Sequence, residues 1–302
     1  MICTTYFLTF FSELIPPTGL NNISVILQLI QPPKELAPFI RTYWYLKNDA
    51  SKEVLQTIVP NGLMGLCFYR SGALDYVGLG KYRTGLGGQR MNSLIIKSCN
   101  VEAVGVEFEP YGLRRFFPMS SMDFYGLVCS PQDISDNELL ILEERILSAP
   151  NVNKCWELLN GYFLSRLMKV KPDELNFKRI HSALIAANGS INISVETMAD
   201  YANLSSKQFR RIFSEYVGVM PKGYLRLIRH QRIMAYLLKS CQQAINLPSL
   251  DELSWSFGYY SASHLITDFK DIMGYNLSDL LKRHAPESYS WVDVEKTSLM
   301  NK

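Results

Sequence analysis

The segment from Leu204 to Gly218, LSSKQFRRIFSEYVG, carries two adjacent arginines inside a pattern typical of an amphipathic helix. Its apolar side chains recur at helical spacing and share one face: Phe209, Ile212, Phe213 and Tyr216. The opposite face holds the polar residues Lys207, Arg210, Arg211 and Ser214. A guanidinium group donates parallel hydrogen bonds that suit guanine edges and phosphates. Two interpretations of this face stay open: a nucleic-acid contact, or an ordinary solvated surface.

A second copy of the pattern lies 56 residues further along the chain. The residues YSASHLITDFKDIMG, from Tyr260 onward, place a serine and a glycine at the positions of Ser205 and Gly218. These are common helix-capping residues, and we expect Ser205 or Ser206 to cap the first helix. A short apolar helix precedes each copy, VETMADYAN and LDELSWSFG. The order of helix, turn and second helix predicts two helix-turn-helix motifs.

The residues between the two copies predict a long connecting helix. PKGYLRLIRHQRIMAYLLKS, from Pro221 to Ser240, has a proline in its first turn and an apolar stripe. A helix of about 20 residues is roughly 30 Å long, close to the roughly 34 Å of one B-DNA turn. It could therefore hold two helices in successive major grooves. Basic side chains along it are predicted to neutralise phosphates: Lys222, Arg226, Arg229 and His230.

Positive charge is concentrated in the last third of the chain. The whole sequence has a net charge of +3, whereas residues 177–285 contain 13 Lys and Arg against 8 Asp and Glu. The remaining residues carry 18 against 20, and all four histidines lie in the basic part. This asymmetry is typical of a domain that meets a polyanion.

The cysteines, the histidines and the apolar N-terminal segment argue against several classes of protein. The six cysteines are scattered, with no CxxC pair, which argues against zinc and disulfides and favours a reducing cytoplasm. Met1 to Ile15 is apolar but lacks a basic signal-peptide start and the length of a membrane span. No histidine occurs in the first 180 residues, which argues against a metal-binding barrel enzyme, and we expect no catalysis and no cofactor.

The N-terminal part reads as short strands separated by Gly, Pro, Asn and Ser. From Ile23 to Phe108 they are ISVILQLI, IRTYWYLK, VLQTIV, LMGLCFY, ALDYVG, SLIIK and VEAVGVEFE. An antiparallel barrel or sandwich is expected. GLGKYRTGLGG lacks the spacing of a phosphate-binding loop and is predicted to be a hairpin. The carboxylates of Glu102, Glu107 and Glu109 are expected on a solvated strand face.

The predicted fold is α+β, with the domains following one another along the chain. We expect an extension over residues 1–22, a β-rich domain over 23–135, and a helical hairpin with linker over 136–176. An all-α domain over 177–285 then carries the two motifs, and 286–302 form a flexible tail. The hairpin offers a surface for self-association.

Residues 180–283 resemble the DNA-binding domain of AraC-type (AraC/XylS family) bacterial transcription regulators. The shared pattern includes Gly218, Pro221, Tyr224 and Arg229, and in the second half Gly258, Ser261, Phe269, Lys270 and Gly274. The resemblance implies base contacts from the outer face of each second helix: Ser206, Lys207, Gln208, Arg210 and Arg211, then Ser263, His264 and Thr267. It also adds Lys270 to the phosphate contacts. His264 is either a groove contact or an exposed polar residue.

The family resemblance implies a cytoplasmic regulator that binds double-stranded DNA, with no metal and no membrane. A small-molecule effector, a homodimer and, for an activator, RNA polymerase are further partners left open. Segments such as VPNG and GVEFEPYG resemble a sensor-like β domain that often precedes this module. Aromatic side chains are candidates for an effector pocket or for core: Tyr43, Trp44, Tyr45, Phe68 and Tyr69. The alternative is a β domain that only dimerises or binds a protein.

Overall fold

The computed structural model describes residues 25–49, 53–72, 74–171, 173–242 and 248–277. The predicted N-terminal extension and C-terminal tail lie outside these ranges. Within them the N-terminal half is β-rich and the C-terminal half is helical, as the sequence predicted.

Ten strands occur in the described residues. They are β1 (Val25–Ile30), β2 (Ile40–Asn48), β3 (Val54–Ile58), β4 (Gly65–Ser71), β5 (Leu74–Tyr76), β6 (Gly80–Tyr82), β7 (Thr84–Gly87), β8 (Leu94–Ser98), β9 (Glu102–Phe108) and β10 (Val128–Cys129). They form a six-stranded sheet, β1-β2-β9-β4-β7-β10, and a four-stranded sheet, β3-β8-β5-β6, with antiparallel pairing throughout. The sandwich interpretation is confirmed, and the described strands do not close into a barrel.

The glycine-rich segment after β5 does not form one hairpin. β6 pairs with β5 in the smaller sheet, as a hairpin should, but β7 pairs with β4 and β10 in the larger sheet. Small residues dominate β7, so its sequence lacked the apolar alternation that would have marked it as a strand.

Nine helices follow in the described residues. They are α1 (Leu113–Phe116), α2 (Asn137–Leu147), α3 (Val152–Lys169), α4 (Glu174–Gly189), α5 (Val195–Tyr201), α6 (Ser206–Val217), α7 (Pro221–Gln242), α8 (Leu250–Ser256) and α9 (Ala262–Met273). Most begin at a side chain that caps an orphan N–H, such as Asp136 before α2 and Ser194 before α5. In the part of the chain that the structure describes, none is long and apolar enough to cross a bilayer.

The larger sheet has an apolar layer on each face. Tyr43 and Phe68 point toward the helical hairpin α2–α3, where Tyr43 stacks on Trp156 with 6.0 Å between ring centroids. The neighbouring Trp44 and Tyr69 point toward the smaller sheet. The hairpin, predicted as a link between domains, therefore shares one core with the larger sheet.

Two loops of the β-rich domain contact the helical domain. In the first loop, residues 59–64, Val59 belongs to the same apolar cluster as the second motif. In the second loop, residues 88–93, the Ser93 N–H donates to the Ile272 carbonyl at 2.7 Å and its hydroxyl to Met273 at 2.9 Å. A third contact comes from the Ser121 hydroxyl, which donates to the Tyr216 carbonyl at 2.9 Å.

Candidate nucleic-acid interface

The first recognition helix, α6, presents its basic side chains to solvent. The Ser205 hydroxyl caps it by accepting from the Gln208 N–H at 3.4 Å, and Gly218 ends it with a φ of 79°. The predicted apolar face is buried: Phe209, Ile212, Phe213 and Tyr216. The predicted contact residues on the other side are exposed, with Ser206 half-buried: Lys207, Gln208, Arg210 and Arg211. The amphipathic pattern predicted the orientation of this helix correctly.

Both arginines of α6 make ion pairs at the protein surface. Arg210 lies 3.1 Å from Glu196 on the preceding helix, and Arg211 lies 3.7 Å from Glu215 one turn along. The side chain of Arg211 is 71% exposed. Exposed pairs of this kind contribute only about 0–1 kcal/mol, so a polyanion can displace them. Their guanidinium groups therefore stay available for an external ligand.

The second recognition helix, α9, has the same length and the same caps but fewer cations. Ser261 caps its start and Gly274, with a φ of 81°, ends it. Its predicted contact residues are exposed: Ser263, His264, Thr267 and Lys270. The Thr267 hydroxyl donates to the Ser263 carbonyl at 2.9 Å, and the His264 ring packs edge-on to Tyr259. With no arginine in its sequence, α9 offers no bidentate guanine contact of the kind α6 could make.

The two motifs differ by one residue in their turns. Leu204 N–H donates to the Ala199 carbonyl, and Tyr259 N–H makes the equivalent bond to Ser254. The first helices are therefore related by 55 residues, whereas the capping serines of the second helices are related by 56. The additional residue is Tyr260, whose side chain is 92% exposed just before α9. The predicted offset of 56 is therefore confirmed for the recognition helices, and the helices that precede them are offset by 55.

The connecting helix α7 runs from Pro221 to Gln242, or about 33 Å at 1.5 Å per residue. Lys222 at its start is exposed. Arg226 instead pairs with Asp268 at 2.5 Å and Asp271 at 3.4 Å on α9, and the Arg229 guanidinium lies 4.8 Å from the centre of the Tyr259 ring. These two arginines hold the second motif against α7, so a phosphate would have to compete with those contacts.

His230 is not on the solvated side of α7. Its side chain is 1% exposed and packs against Phe269, with 5.1 Å between ring centroids. Neither ring nitrogen has a hydrogen-bond partner. Burial, assisted by the charge of Arg226, lowers the pKa of His230 to about 3. The prediction that it could neutralise a phosphate is therefore wrong, because its position on the helix faces the second motif.

Asp268 is the residue of this interface that the sequence interpretation missed. It is 5% exposed and accepts hydrogen bonds from Arg226 and from the Tyr259 hydroxyl, the latter at 2.8 Å. The signal was present in the repeat, since Asp268 occupies the position that the apolar Ile212 holds in the first copy. A carboxylate at a core position predicts a buried cationic partner.

The β-rich domain contains a partly open cavity of about 200 Å³ between its sheets. Trp44 and Tyr69 line it, together with Tyr76. Tyr43 and Phe68 do not, because alternate residues of a strand point to opposite faces and theirs is covered by the hairpin. Gly105 makes room for Trp44, since a Cβ there would lie 2.2 Å from the indole ring.

Glu102 and Glu107 on β9, and Glu109 directly after it, do not form a solvated face. Glu107 is 5% exposed, lines the cavity and accepts from the Asn61 amide at 3.1 Å. Burial raises the pKa of Glu107 to about 7. Glu102 pairs with Arg70, and Glu109 pairs with Arg41 at 2.9 Å. The solvated-face prediction is wrong because β9 is a central strand, between β2 and β4, with both faces covered.

No group of three His, Cys, Asp or Glu side chains that could hold a metal ion occurs among the described residues.

Two family models match parts of the chain. Residues 28–130 match a model described as a domain of unknown function (DUF6597), and residues 198–283 match one described as a helix-turn-helix domain. The second match includes both recognition helices and the connecting helix.

Curated relatives are transcription regulators that match over part of their length. XylDLEGF operon transcriptional activator 1 of Pseudomonas putida is 25% identical over 176 residues, covering 58% of this chain and 50% of that protein. An uncharacterized HTH-type transcriptional regulator of Haemophilus influenzae is 34% identical over 99 residues, 32% of this chain and 31% of the relative. The chain thus spans half or less of the length of these relatives.

Solved structures resemble the chain only distantly. ToxT from Vibrio cholerae O395 has a TM-score of 0.37 at 14% identity, covering 86% of this chain and 97% of that one. A transcriptional regulator from Chromobacterium violaceum, titled as containing an AraC-type DNA-binding domain, has a TM-score of 0.31 at 20% identity, covering 36% and 94%.

Proposed function

We propose that this chain is a sequence-specific DNA-binding transcription regulator of the AraC type, because its C-terminal region matches a helix-turn-helix domain and its curated relatives are transcription regulators. One observation carries the proposal. Two capped helices of equal length, α6 and α9, expose polar faces and are joined by a single helix about as long as one turn of B-DNA. The relatives in Pseudomonas putida are named activators, and we extend activation to this chain within the same proposal.

In this proposal the helices α6, α7 and α9 make different kinds of contact with DNA. Arg210 and Arg211 read base edges, because a guanidinium can form the bidentate contact that distinguishes guanine. Lys222, at the exposed start of α7, neutralises a phosphate and carries no sequence information. The α9 residues Ser263, His264 and Thr267 add weaker contacts, and Lys270 meets a phosphate.

Selection of bound duplexes from a random pool by the full chain tests the proposal. Titrations on the selected site should show that Arg210→Ala or Arg211→Ala weakens binding at least tenfold and relaxes preference at one or two positions. Lys222→Ala should weaken selected and random duplexes alike, and should reduce the slope of log affinity against log salt by about 1. Failure to enrich any sequence would refute the proposal. Unchanged affinity and preference in both arginine variants would show that α6 is not the reading helix.

We further propose that a small-molecule effector acts through the β-rich domain. The cavity and the contacts with the helical domain share the loops 59–64 and 88–93. A ligand that shifts either loop would alter how the two motifs are held. The rival proposal, a β domain that only dimerises or binds a protein, gives the cavity no role.

Thermal-shift screening of the full chain against small metabolites separates these two proposals. A compound that raises the melting temperature of the unmodified chain, but not of an Ala103→Leu variant with a filled cavity, supports an effector. Ala103 is buried and lines the cavity away from both loops in sequence. Compounds that stabilise both chains equally would favour the rival.

A further inference from the structure

We propose that the cavity between the sheets binds a compact molecule made of one apolar ring and an ammonium group, with the ammonium held by Glu107. This deepens the proposed function, because it rests on the β-rich domain being an effector domain and names the chemical class of the effector.

The size and walls of the cavity define the apolar part of the ligand. Its volume is about 200 Å³, and benzene fits an engineered cavity of about 150 Å³. A single ring with a short substituent of about two to four non-hydrogen atoms is therefore the expected size. The walls are mostly apolar and include the rings of Trp44, Tyr69 and Tyr76. Aromatic faces also favour a nearby cation.

Glu107 defines the polar part of the ligand. One carboxylate oxygen, Oε1, accepts from the Asn61 amide at 3.1 Å, whereas the buried Oε2 has no hydrogen-bond partner. A buried carboxylate oxygen without a donor is costly unless a bound group supplies one. Ser98, also buried on the cavity wall, has an unpartnered hydroxyl. The cavity thus offers an acceptor to a ligand that brings a donor.

The charges around Glu107 favour a cationic donor. Arg41 is the nearby cation, but its guanidinium makes two hydrogen bonds to Glu109, at 3.2 and 2.9 Å. The negative charge of Glu107 is therefore not matched by a cation in contact with it. Arg90 also lines the cavity, where it donates to the Gly126 carbonyl and lies near Tyr76 and Tyr125. An anionic ligand held by Arg90 is the competing outcome.

Asn61 links the site to the helical domain. Its side-chain nitrogen Nδ2 donates to Glu107, and its side-chain oxygen Oδ1 accepts from the Leu63 N–H at 3.0 Å. The same loop places Val59 in the core of the second motif, and Gly62 against Tyr224 of the connecting helix. A cation that draws the Glu107 carboxylate away from Asn61 would therefore loosen this loop.

Four probes of nearly equal size test the inference by calorimetric titration of the full chain at pH 8. They are 2-phenylethylamine, 2-phenylethanol, ethylbenzene and phenylacetate. We expect the amine to bind at least tenfold more tightly than the alcohol, the alcohol more tightly than ethylbenzene, and phenylacetate most weakly. Glu107→Gln, which keeps the shape and the acceptor for Asn61, should reduce amine affinity at least tenfold and alcohol affinity less than threefold.

The controls separate this inference from the proposed function. Ala103→Leu should weaken all four probes, and a thermal melt checks that each variant is folded. Equal or tighter binding of phenylacetate, or unchanged amine affinity in Glu107→Gln, overturns the inference. A chain that selects a DNA site but binds no probe refutes the ligand class alone, whereas a chain that selects no DNA refutes the proposed function.

Discussion

The basic side chains of the helical domain differ in their surroundings, and the surroundings decide what each can do. Lys207, Arg210, Arg211 and Lys222 are exposed, with at most surface ion pairs. Arg226 and Arg229 are held by the carboxylate and ring of the second motif. Residue type alone therefore overestimates the number of cations that are free to meet a phosphate.

The buried His230 makes a prediction about acid stability. Its pKa is lowered from about 6.5 to about 3, so the folded chain keeps the ring neutral while the unfolded chain protonates it below about 6.5. The contribution of His230 to the free energy of unfolding should be fully present above pH 6.5 and should be lost as the pH drops toward 3. At pH 5 this loss is about 2 kcal/mol.

Urea unfolding at pH 7.5 and pH 5 measures this effect. Between these pH values the unmodified chain should lose about 2 kcal/mol relative to His230→Leu, because leucine fills the space and no hydrogen bond is lost. The comparison between the two chains is needed because Glu107, whose pKa is raised, is present in both and acts in the opposite direction. His264→Asn is the matched control, since that ring is exposed in the folded chain. An equal loss of stability in the unmodified chain and in His230→Leu would contradict the assignment.

The two recognition helices, α6 and α9, have the same length and the same caps but pack against the rest of the chain differently. Both have a serine cap, twelve residues and a left-handed glycine. The buried face of α6 is apolar, whereas that of α9 includes Asp268 and its bond to Arg226. The second motif therefore depends on an ion pair with the connecting helix where the first depends on apolar contact.

Removing the Asp268 carboxylate should destabilise the second motif. Asp268→Ala leaves Arg226 with only its exposed partner and leaves the Tyr259 hydroxyl without an acceptor, a loss of about 2 kcal/mol. Asp271→Ala removes the exposed partner and should cost less than about 0.5 kcal/mol. Hydrogen exchange of α9 amides measures both, and similar exchange rates in the two variants would contradict this account.

The two capping glycines should respond differently to alanine. Both positions need a positive φ, which costs alanine about 1 kcal/mol. At Gly218 the added Cβ would also lie 2.8 Å from the Ser121 carbonyl, whereas at Gly274 the nearest atom is 3.8 Å away. Chemical denaturation should therefore show Gly218→Ala losing about twice as much stability as Gly274→Ala. Equal losses of stability would mean that Ser121 moves away from the added methyl group without measurable cost.

The whole molecule joins its two domains through loops that also line a cavity. Val59 and Ser93 reach the second motif, and Ser121 reaches the first. Both motifs are therefore held by the β-rich domain as well as by α7. This arrangement allows a change in the cavity to act on the spacing of the recognition helices.

A rigid connection between the motifs predicts strict spacing in the bound DNA. Five base pairs inserted between the two half-elements of a selected site turn one element by about half a turn, and affinity should fall at least tenfold. Ten inserted base pairs return both elements to the same face of the duplex but move them roughly 34 Å further apart. Because α7 cannot span that distance, affinity should fall as well. Gel-shift titration measures both. Retained binding with the ten-base-pair insertion would mean that separate chains read the two elements.

Local periodicity and capping residues were enough to predict several features of the fold. The buried and exposed faces of α6, the caps at Ser205 and Gly218, the repeated motif and seven of the strands could be predicted, because each depends on residues close in sequence. The element order also followed, since the composition changes from β-forming to helix-forming residues along the chain.

Which face of each element packs against another depends on how the chain folds as a whole. Alternation shows that Tyr43 and Trp44 point apart, but not that the hairpin covers one and the cavity adjoins the other. The burial of His230 and Glu107, and the pairing of Arg226 with Asp268, likewise depend on segments distant in sequence. Desolvation and charge pairing are set by those distant neighbours, so the chemistry of these residues could not be read from their own segments.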